Sequence, residues 1–255
     1  MAGTELSFST ALTTELTEKS SALPAGFNID RFVQNSVALL NGNESLMEFA
    51  KKYGTAQIKS GLVRAAMHNL DAMNKEVYLV PYGNVLNFTP SYIGMIKMAH
   101  QYSVEPVKDI YARVVRQGDE FEEAIIDGRP SVNFKPLPFN GNEIIGVFAV
   151  CSFTDGRIKI ETMSRDEIEA CRSRSKAKNA GAWEEFYQEM AKKTVIRRLC
   201  KGLTLNLSAD GIELFNSGTE IETDPAEIAR QDIEQNANKE EFVMDIGPDG
   251  TEEFS

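Results

Sequence analysis

Apolar residues change their spacing along this chain, and that change limits the fold more than any other feature. Over about 29–41, 45–53 and 55–73 they recur at three- and four-residue intervals, the period of helices that bury one face. From residue 76 onward, EVYLVPYG, NVLNFTP, VKDIYARVVRQGDEF and EIIGVFAVCSFTDGRIKIETM are β-branched and aromatic runs bounded by turn residues, which is the pattern of short strands. The helical period returns in SRDEIEACR and in a long stretch from about Ala182 to Lys201. Runs of helix, then strand, then helix segregate the elements, so the expected class is α+β. It is a small, mostly antiparallel β-sheet packed with helices, with a long basic helix after the sheet.

Local punctuation sharpens this outline. Ser45 with Glu48, and Ser164 with Glu167, have the spacing of capping boxes, in which side chain and backbone exchange hydrogen bonds at a helix start. Pro90 opens a helix carrying Tyr92, Met95, Ile96 and Met98, and Thr154-Asp155-Gly156 is a hairpin turn. Asp224 and Pro225 are cap and first residue of a helix over about 224–237. Residues 1–26, rich in Ser, Thr, Ala and Glu, are expected as a flexible leader, 27–205 as the core domain, and 206–255 as an acidic, partly disordered C-terminal region.

Charge is unevenly spread. The 255 residues carry a net charge of −11, which alone argues against a polyanion partner. Residues 1–50 hold 2 basic and 6 acidic groups, 51–201 hold 23 and 18, and 202–255 hold 2 and 14, giving −4, +5 and −12. Within 172–201, Arg172, Arg174, Lys176, Lys178, Lys192, Lys193, Arg197, Arg198 and Lys201 face only Glu184, Glu185 and Glu189. A basic body with an acidic tail fits a polyanion-binding protein; a solvated helix face is the alternative.

Several chemistries are excluded. No G-x-x-x-x-G-K-[ST] phosphate loop, G-x-S-x-G elbow or H-E-x-x-H helix occurs. His68 and His100 have no partner at zinc-ligand spacing, so neither a metal nor any other cofactor is expected. Cys151, Cys171 and Cys200 are odd in number and suit a reducing compartment. The first twenty residues lack the basic start and apolar run of a secretory signal, and the longest apolar stretch, 144–153, is far short of the ~18 residues that span a bilayer. A cytoplasmic protein without a membrane partner is expected. The one enzymatic alternative is a metal-dependent nuclease using Asp119, Glu120, Glu122, Glu123 and Asp127. Those acids sit in one strand end, however, where alternate side chains point to opposite faces. A non-enzymatic adaptor acting through its acidic tail is the other alternative.

The segment WEEFYQEMAKKTVIRRLCKGL combines both themes. Trp183, Phe186, Met190 and Thr194 share one helical sector, and Lys193, Arg197 and Lys201, four apart, form one row overlapping it. Such a face can seat in a core and reach a phosphate. Before it, Arg172, Arg174, Lys176 and Lys178 alternate with small residues, giving the charge and reach that backbone-tracking contacts need.

With these pieces in order, the chain resembles the RecT family of phage and prophage single-strand DNA annealing proteins, related in function to the Red-beta protein. The resemblance rests on VYLVPYGN, SYIGMIKMAH, ARVVRQGDEF, GVFAVCSFTDG, TMSRDEIE and WEEFYQEMAKKTVIRRL, and covers roughly 60–205, leaving out the leader and the acidic tail. It implies ATP-independent binding and annealing of complementary single strands along a cationic groove, on a homo-oligomeric ring or helical filament, with no bond made or broken. It implies as partners single-stranded DNA and the annealed duplex, and, through the C-terminal region, a cognate 5′-to-3′ exonuclease and the host single-strand-binding protein. By position in the matching motifs, phosphate contacts fall on Lys97, Arg113, Arg116, Arg172, Arg174, Lys176, Lys178, Lys193, Arg197 and Arg198. Tyr82, Asn87, Tyr92 and Trp183 are candidates for stacking or hydrogen bonding, with core packing as the alternative for each.

Overall fold

A computed structural model describes residues 2–174 and 182–220. The chain opens with α1 (Ala2–Glu18), a short 3-10 turn (Ser20–Ala22), and α2 (Ile29–Gly42), α3 (Glu44–Tyr53) and α4 (Ala56–Met67). A hairpin of β1 (Val77–Tyr82) and β2 (Val85–Pro90) leads into α5 (Tyr92–Tyr102). Then come β3 (Val107–Arg116), β4 (Glu120–Ile126), β5 (Arg129–Lys135), β6 (Ile144–Phe153) and β7 (Ile158–Ser164). The remaining described elements are α6 (Arg165–Arg174), α7 (Ala182–Glu185), α8 (Tyr187–Lys201) and α9 (Ala209–Glu220). The protein is α+β, as its periodicity indicates. None of the described helices is long and apolar enough to cross a membrane.

The strands form three small antiparallel sheets: β1-β2, β4-β5 and, at the centre, β3-β6-β7. The central sheet explains the apolar run of β6. Val147, Ala149, Cys151 and Phe153 face the main core with α8, while Phe148 and Val150 face the β4-β5 hairpin and meet Phe121, Val132 and Phe134. A strand covered on both faces is hydrophobic at every position rather than at alternate ones. Phe121, Phe134 and Phe148 pack with ring centroids 5.0–6.3 Å apart and tie the hairpin down.

The expected strand 107–121 is two strands, because Gln117 to Asp119 turn the chain between β3 and β4. Helix caps agree in part. At α6, Ser164 N donates to Glu167 Oε2 (3.0 Å) and Glu167 N donates to Ser164 Oγ (3.3 Å), the reciprocal box expected. At α3 the cap is Asn43, whose side chain accepts from Leu46 N (2.9 Å), instead of Ser45. At α5 Ser91 caps the helix through Gly94 N (3.1 Å), while Pro90 ends β2.

The flexible leader expected for residues 1–26 gives way to α1. Phe8, Leu12 and Leu16 recur every fourth residue and are buried against the main core, and Glu15 pairs with Lys19 (2.9 Å) and Lys59 (2.8 Å). At the other end the folded body continues past 205 through α9, whose Leu214 and Phe215 are buried. The helix expected over 224–237 lies outside the described residues.

Candidate nucleic-acid interface

β3 is an edge strand of the central sheet, and a cleft of about 630 Å³ wraps that edge. One wall is the outer face of the sheet with Tyr111, Arg113 and Phe148; the hairpin supplies the facing wall, and α8 contributes Lys192. Strand alternation sends Arg113 and Arg116 to opposite faces. The cleft wraps the strand edge, so both residues line it from their own sides, Arg113 on the outer face and Arg116 towards Gln188 of α8. Arg113 is exposed and has no ion-pair partner among the described residues. The Arg116 guanidinium is aimed by two acceptors, Asn142 O (2.6 Å) and Gln188 Oε1 (3.0 Å). Lys192 Nζ is 2.8 Å from Glu189 Oε1.

On α8 the buried stripe is Met190, Ala191, Val195, Ile196, Leu199 and Cys200, which turns the Lys193–Arg197–Lys201 row away from the core centre. Lys193 Nζ lies 5.8 Å from the centre of the Tyr92 ring, bringing together two residues that sequence reasoning singled out separately. Burial, with the negative charge of Glu189 adding to it, raises the pKa of Tyr92, so its hydroxyl keeps its proton and remains a donor. Arg197 is half-buried one turn later, and Lys201 is exposed at the helix end. Trp183 does not continue this face. The helix breaks at Phe186, which is exposed, while Trp183 is buried and meets Tyr187 edge-on at 5.9 Å.

Other candidates are dispersed. Lys97 Nζ forms an ion pair with the buried Glu76 (2.8 Å), and Arg198 bridges Glu161 (2.6 Å) and Glu167 (2.9 Å). Arg172 lies 3.7 Å from Glu169, and Arg174 ends α6 in an exposed position. Tyr82 and Asn87 are half-buried in the β1-β2 hairpin, opposite Val85 and Val80. Lys176 and Lys178 lie outside the described residues. Lys192, part of the basic run but not of the expected contacts, and Tyr111 line the cleft as well; the alternation Tyr111, Arg113 along β3 is the available signal for the second. The β4-β5 hairpin also had a signal, Asp127-Gly128. Both residues have positive φ (50° and 74°), as a two-residue primed turn requires.

Of the acids of the nuclease alternative, Asp119, Glu120 and Asp127 have structural roles, and Glu122 and Glu123 are exposed on β4. Asp119 accepts from Arg116 N (2.8 Å), Leu137 N (3.0 Å) and Asn140 Nδ2 (2.7 Å). Burial opposes its ionisation, but these hydrogen bonds outweigh burial and lower its pKa. Glu120 pairs across the hairpin with Lys135 (3.3 Å), and Asp127 is in the turn. Among the described residues no three His, Cys, Asp or Glu side chains gather closely enough to share a metal ion.

Two comparisons bear on this architecture. The RecT protein of Escherichia coli (strain K12) is 30% identical to this chain over 229 residues, which is 82% of this chain and 78% of that protein. The RecT family model matches residues 30–239. That span adds α2, α3 and α9 to the 60–205 marked out by the motifs, and it runs into the acidic segment that the motifs leave out. With the strand hairpins, the cationic edge of β3 and the basic helix all inside one continuous match, the chain belongs to the RecT family of DNA-binding recombination and single-strand annealing proteins.

Proposed function

We propose that this chain binds single-stranded DNA and anneals complementary strands without nucleotide hydrolysis. The phosphate backbone lies along the edge of β3 and the outward row of α8. Arg113, Arg116 and Lys192 converging on one cleft is the observation that carries this reading. Two polyanions repel, and annealing needs that repulsion neutralised by contacts that leave the bases free to pair. Cations at the mouth of an open cleft meet both needs: they carry charge and reach but offer no fixed pattern of donors to a base edge. Repetition of the cleft in a homo-oligomeric ring or filament extends the track, since one site of this size holds only a few nucleotides. The exonuclease that loads the strand and the host single-strand-binding protein are the expected partners, and the acidic C-terminal region is where they dock. The protein works in the cytoplasm of the bacterial or phage-infected cell and makes or breaks no covalent bond.

A fluorescence-quench annealing assay with nucleotide omitted and EDTA present tests the reading: pairing is expected, whereas strand loss that requires Mg²⁺ supports the nuclease. Arg113→Ala weakens binding to all sequences alike and reduces the slope of log affinity against log salt by about 0.7, the contribution of one single-strand phosphate contact. An unchanged slope in the folded variant removes Arg113 from the interface.

A further inference from the structure

The loop 136–143 between β5 and β6 presents a fully exposed aromatic ring, that of Phe139, on a backbone that is held in place. Pro136 and Pro138 fix two of its φ angles. Asp119 accepts from Leu137 N and Asn140 Nδ2, and Asn140 Nδ2 and Asn142 Nδ2 both donate to Gln117 O (3.2 and 3.0 Å). Asn142 N donates to Asn140 Oδ1 (2.9 Å), and Gln117 N to Glu143 O (2.9 Å). Within this frame Phe139 has φ +53°, the left-handed region that a bulky residue avoids. An ordered loop therefore holds a large apolar side chain in water, on an unfavourable backbone, with no packing in return. Backbone strain of this kind persists where surrounding structure over-determines it, and it concentrates at functional sites.

The loop also borders the cleft. Pro136, Leu137 and Asn140 line it together with Arg113, Arg116 and Lys192, and Arg116 Nη1 donates to Asn142 O within the same loop. Phe139 itself does not line the cleft but stands between Leu137 and Asn140, which do. An exposed aromatic ring close to cations is a combination by which proteins hold single strands without reading sequence: charge follows the backbone, and a ring stacks on whichever base is present. We propose that Phe139 is a stacking platform for one nucleobase of the strand whose phosphates lie on Arg113, Arg116 and Lys192. This deepens the annealing reading and rests on it. A base held on one face leaves its pairing edge accessible, so the platform spaces the strand without blocking complementarity.

The test uses the full-length protein with an oligonucleotide and an abasic strand of equal length. Phe139→Asn removes the ring and keeps the left-handed backbone comfortable; Phe139→Trp keeps a ring. Phe139→Asn is expected to bind the base-bearing strand roughly ten-fold more weakly than the unmodified protein, in line with the loss of one base–aromatic stack. It should match the unmodified protein on the abasic strand, with an unchanged salt slope, and Phe139→Trp should retain the affinity. Equal affinity of Phe139→Asn and unmodified protein for the base-bearing strand overturns the platform while leaving the annealing reading intact. A fall in the mass of the DNA-free assembly in Phe139→Asn also overturns it, because the ring would then be a contact between copies of the chain. No strand binding by the unmodified protein overturns both.

Discussion

At Gly94 a methyl group would stand 1.9 Å from the carbonyl oxygen of Glu76, so the first turn of α5 can approach the start of β1 only with glycine there. The same segment of Glu76 does more. Its carbonyl accepts from Ser91 N (2.9 Å), and its carboxylate accepts from Asp71 N (2.7 Å) and Lys97 Nζ (2.8 Å). Gly94→Ala is therefore expected to push α5 off this junction and lower stability by about 1–3 kcal/mol or more, the cost of overpacking against atoms that cannot yield. Urea denaturation checks it, with a lower midpoint at unchanged slope as the outcome. The junction shows where residue-level reading of the sequence stops. Lys97 is a cation on an amphipathic helix and was grouped with the DNA contacts, yet its partner lies 21 residues earlier on another element. Arg198 was assigned the same way, and its two carboxylate partners come from β7 and α6. Helical periodicity reports which face a charge is on; it carries no information about the acids that a neighbouring element brings to that face.

Among the elements, those governed by local rules were legible and those governed by packing were not. The β6-β7 hairpin turn and the α6 capping box follow from short-range spacing, and both form as expected. α1 did not look like an element because its composition is polar and only Phe8, Leu12 and Leu16 mark a face; its stability comes from the core that receives them. Leu12→Ala should then cost about 2–5 kcal/mol, as for any fully buried leucine, and a thermal melt measures it. A change near zero would mean that α1 does not hold the core closed. The α6 cap also has a pH signature. Glu167 is held below its ordinary pKa by the hydrogen bond from Ser164 N and by the Arg198 guanidinium. A carboxyl depressed in the folded state stabilises it above the ordinary glutamate pKa, and that contribution disappears as pH falls through the folded value. Denaturation midpoints of the unmodified protein should drop on acidification through that range, and Glu167→Gln should flatten the drop. An identical pH dependence in both proteins refutes the assignment.

At the scale of the whole molecule, the fold class and the family were legible because several ordered motifs and a change of period span most of the chain. The site was less so: the cleft depends on a hairpin laid over the sheet and on α8 reaching the edge of β3, and both are tertiary facts. Charge distribution is the property that sequence reports directly. Residues 221–255 carry 11 acidic and 2 basic groups, a net of −9, on a chain whose basic groups cluster between 51 and 201. Because that segment is joined to α9, it is expected to compete with DNA phosphates for a cationic groove through its high effective concentration. Removing residues 221–255 should raise single-strand affinity at low salt. The gain should shrink as salt rises, since the screening length falls from ~10 Å at 0.1 M to ~3 Å at 1 M. Annealing of bare oligonucleotides should survive the deletion, while recombination in cells should fall with loss of partner docking. Affinity titrations of full-length and shortened protein at two salt concentrations decide the matter. Electrostatic competition predicts a gain confined to the lower salt; weaker binding by the shortened protein, or an equal gain at both salts, shows that the acidic segment acts in some other way.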